Sequence, residues 1–208
     1  AFDTPSRVVG ATKVDGVRTT LAEVERLTRD FGLHAVGFVT YEAGAAFGLD
    51  VRAPEGDLPL VWFALFEPGQ VRHVPRPTRE QDYQLGPLNA TIDRATFGRA
   101  FEQIKSHLAD GDSYQINFTF HMVGTFEGDP RSLFADLVEA QGGSHSAFIR
   151  IGDWAICSAS PELFFSLDGT EVRARPMKGT SRRGRTLAAR HRERHRHAHQ
   201  LIEHAGRP

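Results

Sequence analysis

The sequence is most telling in what it lacks. One cysteine, Cys157, in 208 residues excludes an internal disulfide and suits a reducing compartment. No apolar run approaches the ~18 residues that a membrane-spanning helix needs. No basic stretch followed by an apolar segment opens the chain. The expectation is a cytoplasmic protein with no membrane partner. Net charge is also small, at -1 from 25 basic and 26 acidic residues, so no global field draws the chain to nucleic acid. Lysine is the scarcest charged residue, present only at Lys13, Lys105 and Lys178. Arginine keeps its proton in a protein, whereas lysine can lose it and become a nucleophile. A lysine inside the arginine-rich stretch "RPMKGTSRRG" therefore asks for a reason.

What is present is ordinary for a folded chain. An apolar fraction of 40% and a charged fraction of 25% supply a core. A mass of 23.1 kDa fits one large domain or two small ones. Residues 19–31 place Leu21, Val24, Leu27 and Phe31 at helical spacing, with Thr20 as N-cap and Gly32 as the stop. "AVGFVTYEAG" (35–44) reads as a strand broken at Gly44, and "LPLVWFALF" (58–66) as a strand buried on both faces. The proline-bearing stretch 67–90 reads as an irregular connector. A second helix is capped by Asp93, carries Phe97, Phe101, Ile104 and Leu108 on one stripe, and ends at Gly111.

"DSYQINFTFHM" then alternates as a strand does. Tyr114, Ile116, Phe118, Phe120 and Met122 face one side; Gln115, Asn117, Thr119 and His121 face the other. Asp129-Pro130 opens a third helix with Leu133, Phe134, Leu137 and Val138 inward. Two hairpins follow, turning at Gly152-Asp153 and at Asp168-Gly169. The expected class is α+β, a mostly antiparallel β-sheet with flanking helices. Residues 1–181 form the folded portion. The Arg/His-rich residues 182–208, with five of the ten histidines and few large apolar side chains, are expected to be disordered.

Spacing brings one possible chemical pair together. If Asp168-Gly169 makes a type I′ turn, Leu167 pairs with Thr170 and Glu162 falls opposite Arg175. Glu162 and Lys178 then lie toward the same open end of a hairpin. A carboxyl group and an amine so placed could act as acid/base and nucleophile. Neighbouring Arg175, Arg182 and Arg183 would lower the lysine pKa, because a second positive charge is unfavourable beside them. On spacing alone, a solvated basic loop with Glu162 as surface partner is the commoner outcome.

Three ordered stretches carry more. "GDSYQINFT" (111–119), "SASPELFF" (158–165) and "RPMKGTSRRGR" (175–185) resemble signatures of the chorismate-binding enzymes. "AVGFVTYEAGAAFGLD" and "LPLVWFALFEP" look like the N-terminal half of the aminodeoxychorismate synthase component I branch. The resemblance implies a partial chorismate-binding, anthranilate synthase component I-like fold. In the anthranilate branch the third residue of Pro-Ile-Ala-Gly-Thr is alanine, whereas Pro176-Met177-Lys178-Gly179-Thr180 has lysine there. What the resemblance implies is that Lys178 attacks ring carbon C2 of chorismate as the C4 hydroxyl departs. Ammonia then adds at C4 and expels the lysine, giving 4-amino-4-deoxychorismate on the para-aminobenzoate and folate route. Glu162 matches the family's acid/base, and Gly179 and Thr180 meet a substrate carboxylate. Ammonia would come from a glutamine amidotransferase subunit. Mg²⁺ is expected for the family, with its glutamate ligands in a part that this chain does not show. Family members are about twice this long, so a truncated or out-of-frame end with little activity alone is expected. The rival readings are a non-catalytic amidotransferase-docking subunit and an anthranilate synthase-like enzyme.

Other features read as structural. His191, His195, His197 and His199 could bind a transition metal, but no carboxylate or cysteine completes the set. Arg182 to Arg196 lacks interleaved aromatics for RNA. Cys157 fits a small core residue, His121 a solvent-facing one and Asp112 a turn residue.

Overall fold

The apolar stripe of the first helix extends upstream of Leu21, to Val17 and Val14. In the computed structural model, which describes residues 1–176 apart from 3, 55, 143 and 144, that longer stripe forms α1 (Val14–Phe31). The helix therefore starts well before the expected cap at Thr20, and Lys13 precedes it without a side-chain capping bond. Its end is the expected one, with Gly32 in the left-handed region at φ 66°.

The helix packs on an antiparallel sheet of β1 (Arg7–Ala11), β2 (His34–Val39) and β3 (Val61–Phe66), in the order β1-β3-β2. Central placement explains why β3 is apolar at every position. Leu65 and Val61 are fully buried there, and the strand has no edge to expose. Val17 of α1 meets Ala43, Leu60 and Val61 in one cluster, with Val14, Leu21, Ala46 and Phe63 around it. Each large side chain so buried contributes roughly 1.5–3 kcal/mol. Gly37 is required in β2, since a Cβ there would lie 2.0 Å from the Trp62 carbonyl oxygen. The strand expected to reach Gly44 instead stops at Val39. The Thr40 amide donates to Leu60 O at 2.9 Å, and residues Tyr41–Phe47 then coil into a 3₁₀ helix that delivers Ala43 to the core.

Short elements follow: β4 (Tyr83–Leu85), β5 (Asn89–Ala90), α2 (Arg94–Ala109), β6 (Met122–Val123), β7 (Phe126–Gly128) and α3 (Pro130–Gln141). β4 pairs with β7 and β5 with β6, both antiparallel. Asp93 caps α2 as expected, its carboxylate accepting the Thr96 amide at 2.7 Å. Hydrogen bonding from the Thr96 backbone, then from its side chain, holds the Asp93 carboxyl below the usual aspartate range. A depressed folded-state pKa means stability present above the unfolded pKa and lost as pH falls through the folded one. The thermal midpoint of Asp93→Asn is therefore expected to lie below wild type at pH 7, with the gap closing below about pH 4. A gap of constant size across that range would remove the capping carboxylate from the account.

The alternating stretch does not behave as predicted. Residues 114–121 form no strand, and only Met122 and Val123 enter a ladder. A strand needs a partner, and no backbone–backbone hydrogen bond joins residues 116–120 to another described residue. The apolar side is still used locally. Phe97 of α2 meets Phe101, Phe118 and Phe120 with ring centroids 6.2, 5.6 and 6.1 Å apart.

Helix α3 starts where Asp129-Pro130 predicts, with the Asp129 carboxylate accepting the Ser132 amide at 3.1 Å. Its buried face is Ser132, Ala135 and Val138, while Leu137 is exposed rather than inward. Ser132 can be buried because its hydroxyl is satisfied, accepting from the Gln81 amide and donating to Asp129.

The remaining strands are β8 (His145–Ile151), β9 (Trp154–Ser160), β10 (Leu163–Asp168) and β11 (Glu171–Arg175), paired β8-β9 and β10-β11. Both expected hairpins are present, with Gly152 at φ 52° and Gly169 at φ 58°. The architecture is α+β, and every pairing with a defined register is antiparallel. Among the described residues two compact units are distinguished, 1–140 with 147–158 and 141–146 with 159–176.

Candidate functional site

Glu162 sits in the tight Ser160-Pro161-Glu162 turn that joins β9 to β10. Ser160 makes this turn with one hydroxyl, which donates to the Glu162 carbonyl at 2.9 Å and accepts the Glu162 amide at 3.2 Å. Hydroxyl-to-backbone bonding of this kind is why serine favours turns. The proline between them cannot donate, so the turn does not continue either strand. Glu162 is half-buried, and no described side chain pairs with its carboxylate. It is held from the backbone, with its acid group uncommitted among the described residues.

The register of the hairpin beyond it differs from the expected one. Asp168 pairs with Glu171 and Leu167 with Val172, so Gly169-Thr170 is the loop. Gly169 takes the positive φ at the first loop position, as a type II′ turn requires, and the expected type I′ turn at Asp168-Gly169 is not formed. A bulge between Leu163 and Ser166 then sets Leu163 opposite Arg175. Glu162 is therefore not opposite Arg175 but one residue before the ladder begins. A bulge re-aims the strand next to it, here at the end that carries Glu162. Lys178, Gly179 and Thr180 lie outside the described residues, as do Arg182, Arg183 and the histidines from His191 onward.

The stretch "GDSYQINFT" begins in a clasp at the end of α2. The Asp112 carboxylate bonds His107 Nδ1 at 2.8 Å, and the Asp112 amide donates to His107 O at 3.0 Å. Gly111 allows this reversal with φ 81°, which confirms Asp112 as a turn residue. Ser113 Oγ donates to Gln115 O at 3.0 Å, and Gln115 Nε2 donates to Asn117 Oδ1 at 3.4 Å. His121 is solvent-facing as expected. Cys157 is half-buried, its thiol donating to Pro130 O at 3.4 Å. Burial, and then the Asp129 charge, push that thiol above the usual range, so it is a poor nucleophile.

One polar cluster was invisible in the sequence. Tyr83 Oη donates to Asp136 Oδ2 at 2.8 Å, while Arg79 lies 3.6 Å from the same oxygen and stacks over the Tyr83 ring at 5.2 Å. The Asp136 hydrogen bond raises the tyrosine pKa. This cluster ties the connector to α3, and no motif announces it because its members are 53 residues apart. Among the described residues, no three His, Cys, Asp or Glu side chains converge to hold a metal ion, and no helix is long and apolar enough to cross a membrane.

Comparison with known proteins is specific. The sequence pattern of the chorismate binding enzymes matches residues 69–201, and the chain belongs to that family. Aminodeoxychorismate synthase component 1 of Salmonella typhimurium is 36% identical over 104 residues, which is 50% of this chain and 23% of that protein. The Escherichia coli protein of the same name is 35% identical over 102 residues, 49% of this chain and 22% of the relative. Anthranilate synthase component 1 of Haloferax volcanii is 36% identical over 93 residues, 44% of this chain and 17% of the relative. The matched segment thus spans less than a quarter of the length of these relatives.

Proposed function

We propose that this chain carries the amine and acid of a chorismate-aminating site that makes 4-amino-4-deoxychorismate. The observation that carries this reading is Lys178 in Pro176-Met177-Lys178-Gly179-Thr180, in a chain 31–38% identical over about half its length to several aminodeoxychorismate synthase component 1 proteins. In this reading the unprotonated Lys178 amine bonds to ring carbon C2 and then loses a proton, the two conjugated ring double bonds both shift, to C1=C6 and C4=C5, and the C4 hydroxyl leaves. Glu162 gives that hydroxyl a proton, so water departs. The Ser160 hydroxyl holds the Glu162 backbone, and no described side chain pairs with its carboxyl group, which leaves that group for the task. Ammonia then bonds to C4 and gives up a proton, both double bonds shift back, and the lysine leaves C2 as the reprotonated amine. Gly179 lets the backbone approach a substrate carboxylate, with Thr180 beside it. A partner that hydrolyses glutamine would supply the ammonia, and the single cysteine suits work in the cytoplasm.

The step before ammonia addition can be watched directly. Because little activity is expected of the chain alone, the test uses a chimera in which residues of this chain replace the 102 residues they match in the Escherichia coli relative. Given chorismate and Mg²⁺ without ammonia, it is expected to gain the mass of chorismic acid less one water. Peptide mass spectrometry should place the adduct on Lys178, and ammonium should discharge it. Saturating chorismate that leaves Lys178 unmodified would end the covalent reading. A second reading is favoured by the 36% identity to the Haloferax anthranilate synthase component 1. Under that reading no lysine adduct forms, and ammonium yields an amine at C2 rather than C4.

A further inference from the structure

Both backbone groups of Glu162 are held by one atom. The Ser160 hydroxyl donates to the Glu162 carbonyl at 2.9 Å and accepts the Glu162 amide at 3.2 Å. A hydroxyl carries one proton and two lone pairs, so it can do both at once. Nothing on the backbone shares that load among the described residues. Pro161 has no N–H to give, and no backbone–backbone hydrogen bond joins residue 161 or 162 to another described residue. Ser160 is itself the last residue of β9, so the restraint starts from a strand. On the far side of Glu162 the ladder begins at once, with Leu163 opposite Arg175, and then breaks. Phe164 and Phe165 together stand against Ala174. Both rings are exposed, so burial does little to fix this bulge. Glu162 thus stands between one serine hydroxyl and a single ladder step.

We infer that Ser160 is a positioning residue: its hydroxyl sets the backbone from which the Glu162 carboxyl group meets the departing hydroxyl of the substrate, and through that group it sets the rate of the step. A carboxyl group inherits every displacement of the backbone beneath it, and a reacting group misplaced by about 1 Å can lose about 10²-fold in rate. Serine supplies two bonds here that alanine cannot make, whereas threonine keeps the same hydroxyl. The inference rests on Glu162 being the acid of the proposed reaction, and not on the Lys178 adduct.

The test is a double-mutant cycle on chorismate consumption by the chimera, with ammonium and Mg²⁺ present. Ser160→Ala is expected to lower the limiting rate by about 10–10²-fold and to leave the half-saturating chorismate concentration unchanged. Ser160→Thr should restore most of that rate. The deciding arm adds Ser160→Ala to Glu162→Gln. With no proton left to place, loss of the hydroxyl should slow that variant by no more than about twofold, because both changes act through one group. Equal slowing in the two backgrounds overturns the inference, and so does a raised half-saturation at an unchanged limiting rate; a merely structural serine would give either. In the full chain by itself, amide exchange at Glu162 should quicken at least about tenfold in Ser160→Ala, with protection of β1–β3 intact. An unchanged exchange rate overturns the inference without appeal to activity. The proposed function fails differently. A Glu162→Gln variant as fast as wild type ends the acid reading and this inference together. Turnover without a lysine adduct ends the covalent step alone, and the cycle then still decides on Ser160.

Discussion

Glu162→Gln is expected to slow formation of the Lys178 adduct by about 10²–10⁴-fold, the usual contribution of a positioned general acid. Glutamine keeps the size and the backbone turn but has no proton to give to the departing hydroxyl. The turn itself belongs to Ser160, whose hydroxyl holds both the amide and the carbonyl of residue 162. Geometry should therefore survive the substitution while chemistry does not. The measurement is the time course of adduct mass after mixing with chorismate, with chorismate affinity followed in parallel. Unchanged affinity with a slowed step assigns the carboxyl to the reaction. A rate within about twofold of wild type would return Glu162 to the role of a surface residue, as exposed charges most often are.

The second large effect lies in the frame. Leu65→Ala is expected to cost about 2–5 kcal/mol in unfolding free energy. Leu65 is fully buried at the centre of the three-stranded sheet, opposite Arg7 on one side and Ala35 on the other. A central strand cannot relax into the cavity without disturbing two ladders, so the upper part of the range is favoured. Urea denaturation followed by far-UV circular dichroism measures it. A loss below about 1 kcal/mol would mean that the cluster around β3 does not hold this unit together.

The parts of the fold that could be read in the sequence are those fixed by neighbours in the chain. Gly32 ends α1 because a left-handed residue is needed there, and glycine takes that conformation without strain. Asp93 caps α2 because its carboxylate reaches an amide three residues on. Asp129-Pro130 opens α3 by the same local logic. The apolar run 58–66 announced a buried strand, and β3 is one. The errors came where distant residues decide. Thr20 was a sound cap in isolation, but Val14 and Val17 gain burial only if the helix begins earlier. The strand expected to reach Gly44 ended at Val39, because burying Ala43 required the chain to leave the sheet.

The candidate site divides along the same line. Glu162 and the singular Lys178 could be singled out by residue type and order, although Lys178 lies outside the described residues; the Ser160 turn that holds Glu162 was not foreseen. The alignment of Glu162 with Arg175 was not legible, since a shifted turn and a bulge between Leu163 and Ser166 reset the ladder. One residue of slippage costs little in a hairpin whose Phe164, Phe165, Leu167 and Val172 are all exposed. Register is strongly specified only where one face is buried.

An amine among guanidinium groups, an acid after Ser-Pro, and the apolar periods of helix and strand were determined by the order of residues alone. Where α1 begins, which face of α3 turns inward, that Tyr83 meets Asp136, and that 116–120 make no backbone–backbone bond to another described residue were decided by tertiary structure. The reason is range: caps, turns and periodicity act over a few residues, whereas burial and ladder pairing depend on groups brought together from tens of residues away.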